Sequence, residues 1–157
     1  MPRGHPLTRY KMQTIEIILD VLYIGILVTV SYTDLRWRRI PNAVVLPGIL
    51  TAFLVAIFKA ELPAAFLGGF IGAIFFIIPA VIFGPERAGM GDVKLALFMG
   101  LLLGFPAIFY ALAIASVSAL VVILPGIAFC GWTRKTVIPF GPFLAFGALF
   151  LLVQRLI

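Results

Sequence analysis

The sequence predicts an all-α fold, a polytopic membrane bundle of about six transmembrane helices. Three observations lead there. Composition is the first: 63% of the 157 residues are hydrophobic and 11% are charged, against about 25% charged in a soluble domain, and mean hydropathy is +1.20. The second is arrangement, since apolar runs of spanning length alternate with short breaks that hold most of the Lys and Arg. The third is period. The strict alternation of a β-barrel strand is absent, and a backbone in lipid must then satisfy its polar groups within helices.

Residues 1–14 read as a basic N-terminal tail with Arg3, Arg9, Lys11 and the lone His5. A basic tail before an apolar run has the order of a signal peptide, but the run from Ile15 to Ser31 is longer than a signal core and no small-x-small cleavage site comes after it. It reads as a retained first helix, Ile15 to Thr33. Residues 15–157 read as one membrane-embedded domain, with no linker and no repeat. The second helix runs from Pro41 to Phe58, Pro41 being suited to a helix start. The third runs from Pro63 to Phe83. Its Gly68, Gly69 and Gly72, like Gly100 and Gly104 later, suit close packing of membrane helices. The fourth, Asp92 to Leu103, falls short of the roughly 20 residues a span needs. The fifth runs from Pro106 to Cys130 and the sixth from Phe140 to Leu156. Cys130, the lone cysteine, reads as a packing residue and excludes both an intrachain disulfide and a CxxC metal site.

The net charge of +6 points to orientation in a bilayer and away from nucleic acid. With six spans, loops one, three and five share a face. Seven of the twelve Lys and Arg lie there: Arg36, Arg38, Arg39, Arg87, Lys94, Arg134 and Lys135. The positive-inside rule puts that face in the cytoplasm of a cell (inner) membrane protein, although the basic tail argues the other way.

Six carboxylates remain. Glu61 reads as solvated in loop two and Glu16 as interfacial; Asp20, within a span, is a functional candidate by default, but it lies on the face opposite loops one and three and reads rather as an interfacial acid or a partner for a neighbouring helix. Asp34 and Asp92 differ from these: each sits at a membrane boundary, and parity brings both to one face. Asp34 is followed by a basic run and Ile40-Pro41-Asn42. Asp92 is preceded by Gly89-Met90-Gly91, where glycines allow close approach and unusual dihedrals. Asp also suits a helix N-cap, so spacing alone leaves capping and catalysis both open. Two carboxylates held close cannot both ionise cheaply. The ionised member can then take a proton from water while the protonated one polarises a carbonyl, with no metal, cofactor or covalent nucleophile. The histidine content excludes a Ser-His-Asp triad and a His-ligated zinc, and no P-loop is present.

Three segments carry a resemblance. "GMGDVKLALFMGLLLG" resembles the GxGD segment of the type IV prepilin peptidases, a family of membrane aspartic proteases that includes preflagellin peptidases. "SYTDLRWRRIPN" is similar to the family's first-aspartate segment, and "IPFGPFLAFGA", from Ile138 to Ala148, to its C-terminal signature. The resemblance implies that Asp34 and Asp92 are the catalytic pair. It also implies a cytoplasmic-side site that cuts the short basic leader from prepilins in type IV pilus assembly and protein secretion, after a glycine that precedes the apolar helix. Larger members carry an N-terminal region with paired cysteines, associated with N-methylation. The chain reads as a short form without it, or as a piece of a longer enzyme.

Around the pair, Gly89 and Gly91 read as supporting glycines and Glu86 as a contact for the basic leader. Lys94 lies two positions after Asp92, so it does not face that acid on a helix. It reads as snorkelling or meeting substrate or a lipid headgroup. The loop-one arginines read as orientation signals. Pro139, Gly141 and Pro142 would unwind the start of helix six and open an edge for substrate backbone, or serve as ordinary punctuation. Two rivals stand beside this reading. A presenilin-like protease would carry Tyr-Asp and Pro-Ala-Leu motifs, whereas here Thr33 precedes the acid and the C-terminal motif is Pro-Phe-Gly-Pro. A small transporter or channel with an aspartate proton relay would hold its acids near mid-membrane.

Overall fold

The computed structural model describes residues 6–83, 89–129, 131 and 138–156. The expectations placed on Glu86, Arg87, Cys130, Arg134, Lys135 and His5 fall outside these residues. Six helices succeed one another: α1 (Pro6–Trp37), α2 (Asn42–Phe58), α3 (Leu62–Phe83), α4 (Met90–Leu103), α5 (Ala107–Phe129) and α6 (Gly141–Leu156). Three segments are long and apolar enough to cross a membrane, Gln13–Trp37, Leu62–Ile82 and Ala107–Phe129, while α2 and α6 are shorter apolar helices.

The helix starts and stops have local causes. α1 begins at Pro6, nine residues before the expected Ile15, and passes Thr33 to end at Trp37. Proline is at ease in a first turn, and no Gly-Pro break interrupts the helix between Pro6 and Trp37. Arg38 stops the helix in the left-handed region, with φ 52, and its N–H reaches back to the Asp34 carbonyl at 2.8 Å. Gly104 does the same for α4 at φ 71, donating to the Gly100 carbonyl at 2.9 Å. Tyr32 and Trp37, both exposed, stack edge to face at 5.9 Å near the end of α1. They mark an interfacial aromatic anchor at the level of Asp34.

α4 is the centre of the bundle. Eight of its residues, among them Leu95, Ala96, Phe98 and Met99, are buried, as expected of a helix apolar on every side. Its partnership with α3 is the most extensive in the molecule. There the glycines expected to favour packing do so by bringing backbone onto backbone. A Cβ at Gly100 would collide with the Gly68 carbonyl, and one at Gly72 with the Ala96 carbonyl. The inner face of α1 repeats at 3.6-residue spacing: Tyr23, Leu27, Val30 and Asp34 are all buried, and Glu16 and Asp20 continue the same stripe outward.

Fourteen residues make α4 about 21 Å long, short of the roughly 30 Å hydrocarbon core. Its neighbours α3 and α5 have 22 and 23 residues. A recess is therefore left at each end of α4. One is lined by Gly89, Gly91, Asp92 and Lys94, and the other by Leu101 to Gly104.

Candidate active site

The recess at the start of α4 is an open cleft of about 470 Å³. Loop one supplies Arg38, Arg39 and Ile40 to its wall, α2 supplies Asn42, and the segment before α6 supplies Ile138, Pro139 and Phe140. Asp34, from the last turn of α1, and Asp92, from the first turn of α4, both line it. Two acids 58 positions apart in sequence thus meet at one mouth.

Their settings differ. Asp34 is 6% exposed, and its Oδ2 accepts the N–H of Gly141 at 2.9 Å. Gly141 is the first residue of α6, so this carboxylate faces the electropositive start of a neighbouring helix. A side chain is excluded there, since a Cβ on Gly141 would lie 2.6 Å from Asp34 Oδ2. Asp92 stands in the first turn of α4, outside the three long spans. Burial pushes its carboxyl up to about 7, and the neighbouring Asp34 carboxylate adds to the rise.

The structure corrects the capping alternative. Asp34 ends its helix instead of beginning one. The N-cap of α4 is Gly89, with no side-chain cap hydrogen bond, and Asp92 lies inside the first turn. Neither acid caps its own helix. The glycines of the GxGD segment also act differently from one expectation. Gly89 has an ordinary φ of −58, so its use is room and not an unusual dihedral. A Cβ on Gly91 would lie 3.0 Å from Ile40 Cβ, which ties the GxGD segment closely to the Ile-Pro-Asn segment.

Lys94 is drawn to the same pair of segments. Its Nζ donates to Asn42 Oδ1 at 3.0 Å, joining positions 52 apart, and no ion pair to Asp92 is present among the described residues. Pro139 lines the cleft in a non-helical segment, while Pro142 sits in the first turn of α6, where proline is tolerated. Six further wall residues carried no expectation of a site role: Arg38 and Arg39, read only as orientation signals, and Ile40, Asn42, Ile138 and Phe140. The signal available for Asn42 was its place in the quoted Ile-Pro-Asn motif. Among the described residues no three His, Cys, Asp or Glu side chains are grouped as metal ligands.

Comparison with known proteins decides the family. The sequence pattern of the Type IV leader peptidase family matches residues 21–124, a stretch that contains both aspartates and the cleft walls from α1, α2 and α4. The chain belongs to that family. Among its relatives is the prepilin leader peptidase/N-methyltransferase of Bacillus subtilis, 28% identical over 144 residues, covering 87% of this chain and 55% of the relative. The corresponding Legionella pneumophila protein is 30% identical over 143 residues, with 87% and 50% covered. That of Pseudomonas putida is 29% identical over 126 residues, with 76% and 43% covered. The chain spans about half the length of these relatives. No solved structure matches it.

Proposed function

We propose that this chain is a membrane aspartic endopeptidase that removes the short basic leader from type IV prepilin-like proteins. The observation that supports it most directly is the convergence of Asp34 and Asp92, from the ends of two helices, on one open cleft. In this reading the pair shares one proton. Asp92, pushed up to about 7, holds it and polarises the scissile carbonyl. Asp34 has Oδ2 fixed by the Gly141 N–H and takes a proton from the attacking water through its other oxygen. The non-helical Ile138-Pro139-Phe140 segment borders the acids, and an extended peptide can lie along it.

The cleft faces the cytoplasm in this proposal. It gathers loops one, three and five, and those loops with the adjoining ends of α1 and α4 carry seven of the twelve Lys and Arg. The relay alternative is disfavoured by the side chains between the two recesses. Leu27, Val30, Leu95, Phe98 and Met99 are fully buried there, and among the described residues no ionisable side chain bridges them.

The test is cleavage of a prepilin-like substrate with a basic leader by the detergent-solubilised protein. Asp34→Asn and Asp92→Asn should each abolish cleavage while leaving the melting transition in place, and Asp20→Asn should keep most activity. Robust cleavage by either cleft variant would remove the dyad mechanism. Chelators should leave the rate unchanged, and loss restored by one specific metal would count equally against it.

A further inference from the structure

The second recess, at the far end of α4, is built from polar groups that the cleavage chemistry does not use. Its inner cavity holds about 290 Å³, room for about ten waters by volume. It opens into an outer vestibule of about 680 Å³ that shares Glu16, Asp20, Lys59, Glu61 and Arg155. Tyr23 lines the inner cavity. It is 1% exposed, and its hydroxyl faces Thr51 while its oxygen accepts no hydrogen bond among the described residues. Thr51, on the facing α2, gives its own hydroxyl proton to the Gly48 carbonyl. A tyrosine hydroxyl that gives its proton to Thr51 still has its oxygen to accept one from a ligand.

The charges are of both signs, and all five side chains line the inner cavity and the vestibule alike. Lys59 sits at the rim, paired with Glu16 at 3.0 Å. Arg155 is fastened by one Nη2 donor to the Leu103 carbonyl at 3.2 Å, which leaves the other guanidinium donors for a ligand. Asp20 and Glu61 have no side-chain hydrogen bond or ion pair among the described residues. The carbonyl end of α4 forms part of the wall. The N–H of Phe105 turns away to the Ala64 carbonyl at 2.9 Å, and Pro106 has no N–H to offer. The carbonyls of Leu101 and Leu102 therefore lose the donors that would continue the helix, and this end of α4 is electronegative.

A ligand suited to this recess carries both signs, a cation for Asp20, Glu61 and the free α4 carbonyls and an anion for Lys59 and the unused donors of Arg155. A bare metal cation fits poorly, because these carboxylates are not grouped as metal ligands. A purely anionic group would face three carboxylates against two cations. The recess begins where α1 enters the membrane: Asp20 lies seven residues past Gln13, about 10 Å along the helix, at the depth of headgroups and the outer hydrocarbon. We propose that this recess binds the headgroup of a zwitterionic phospholipid, its phosphate on Lys59 and Arg155 and its primary ammonium on Asp20, Glu61 and the Tyr23 hydroxyl.

The experiment is native mass spectrometry of the detergent-solubilised chain titrated with dioleoyl phosphatidylethanolamine, phosphatidylcholine and phosphatidylglycerol. Phosphatidylethanolamine should bind about tenfold more tightly than either of the others, because only its headgroup brings a cation that donates charge-assisted hydrogen bonds to carboxylates. Asp20→Asn should erase that preference while keeping phosphatidylglycerol binding, Lys59→Gln should weaken all three, and Tyr23→Phe should weaken phosphatidylethanolamine alone. Tyr23→Phe keeps the ring that packs edge to face on Phe98 at 5.8 Å, so it remains informative if a charge variant fails to fold. Equal binding of the three lipids, or an Asp20→Asn chain that keeps the preference, overturns the proposal. Soluble O-phosphoethanolamine is the last probe. Competition as effective as the lipid itself would assign the recess to a water-borne zwitterion and overturn the lipid assignment.

Discussion

Gly141→Ala is the sharpest perturbation that the cleft offers, because it touches Asp34 without removing it. The added methyl would lie 2.6 Å from Asp34 Oδ2 and 3.1 Å from Cγ. Reaching ordinary van der Waals distance requires the carboxylate to retreat by roughly 0.8 Å. The 2.9 Å hydrogen bond from the Gly141 N–H would then stretch beyond hydrogen-bonding range. A hydrogen bond to a charged group contributes about 1.5–3 kcal/mol, and a displacement of this size at a reacting group costs on the order of a hundredfold in rate. The expected result is a fall in kcat of about 10- to 100-fold with KM little changed, since the methyl meets Asp34 and not the substrate. The assay is steady-state cleavage of a prepilin-like substrate, with the melting transition measured on the same preparation. Gly25→Ala is the control: it lies on α1 with Asp34, and a Cβ there meets nothing within 4 Å. Wild-type kcat in Gly141→Ala, with an unshifted melting transition, would refute the claim that this backbone contact positions Asp34.

Further outcomes are expected. Cleavage should trace a bell in pH whose descending limb passes near 7, where Asp92 loses its proton, and a rate climbing steadily into alkali would exclude a protonated carboxyl. Because Asp92 is pushed up to about 7 when folded but ionises near 3.9 when unfolded, the unfolded chain binds fewer protons between those values. Stability should therefore fall as pH rises from about 4 to 7, and Asp92→Asn should flatten that slope in detergent melting curves. Gly100→Ala drives a methyl into the Gly68 carbonyl, where backbone must move, so it should cost about 3 kcal/mol; a wild-type melting transition would contradict the α3–α4 seam. Cysteines replacing Arg38 and Lys59, at opposite ends of α2, should label from opposite faces of the membrane, with Arg38 on the cytoplasmic side.

Hydrophobic continuity made the six helices legible, because each apolar run needs a hydrogen-bonded backbone of its own in lipid. Their limits were less so. Asp34-Leu35-Arg36 reads as the start of a loop in sequence, yet a helix tolerates it in its last turn, where Arg36 meets the electronegative end. Asp34 and Asp92 stood out because a carboxylate beside a long apolar run is costly, and parity alone brought them to one face. The Gly141 N–H on Asp34 and the Lys94–Asn42 hydrogen bond were not legible. Each joins segments far apart in sequence, and no periodicity encodes a through-space pair. The far recess was hidden for a related reason. Asp20, Lys59, Glu61 and Arg155 are each ordinary at a helix end, and only the shortness of α4 gathers them.

That shortness gives the molecule an hourglass section. At its centre the insulating slab is as thick as α4, about 21 Å, while the surrounding lipid keeps a core of about 30 Å. Both bowls open outward, and in the proposed function a peptide entering the upper one meets Asp92 below the level of the lipid surface. The waist also shapes the local field. A membrane potential falls across the low-dielectric waist and not across the open bowls, so much of its drop is concentrated along α4, with Asp92 at one pole and Arg155 near the other.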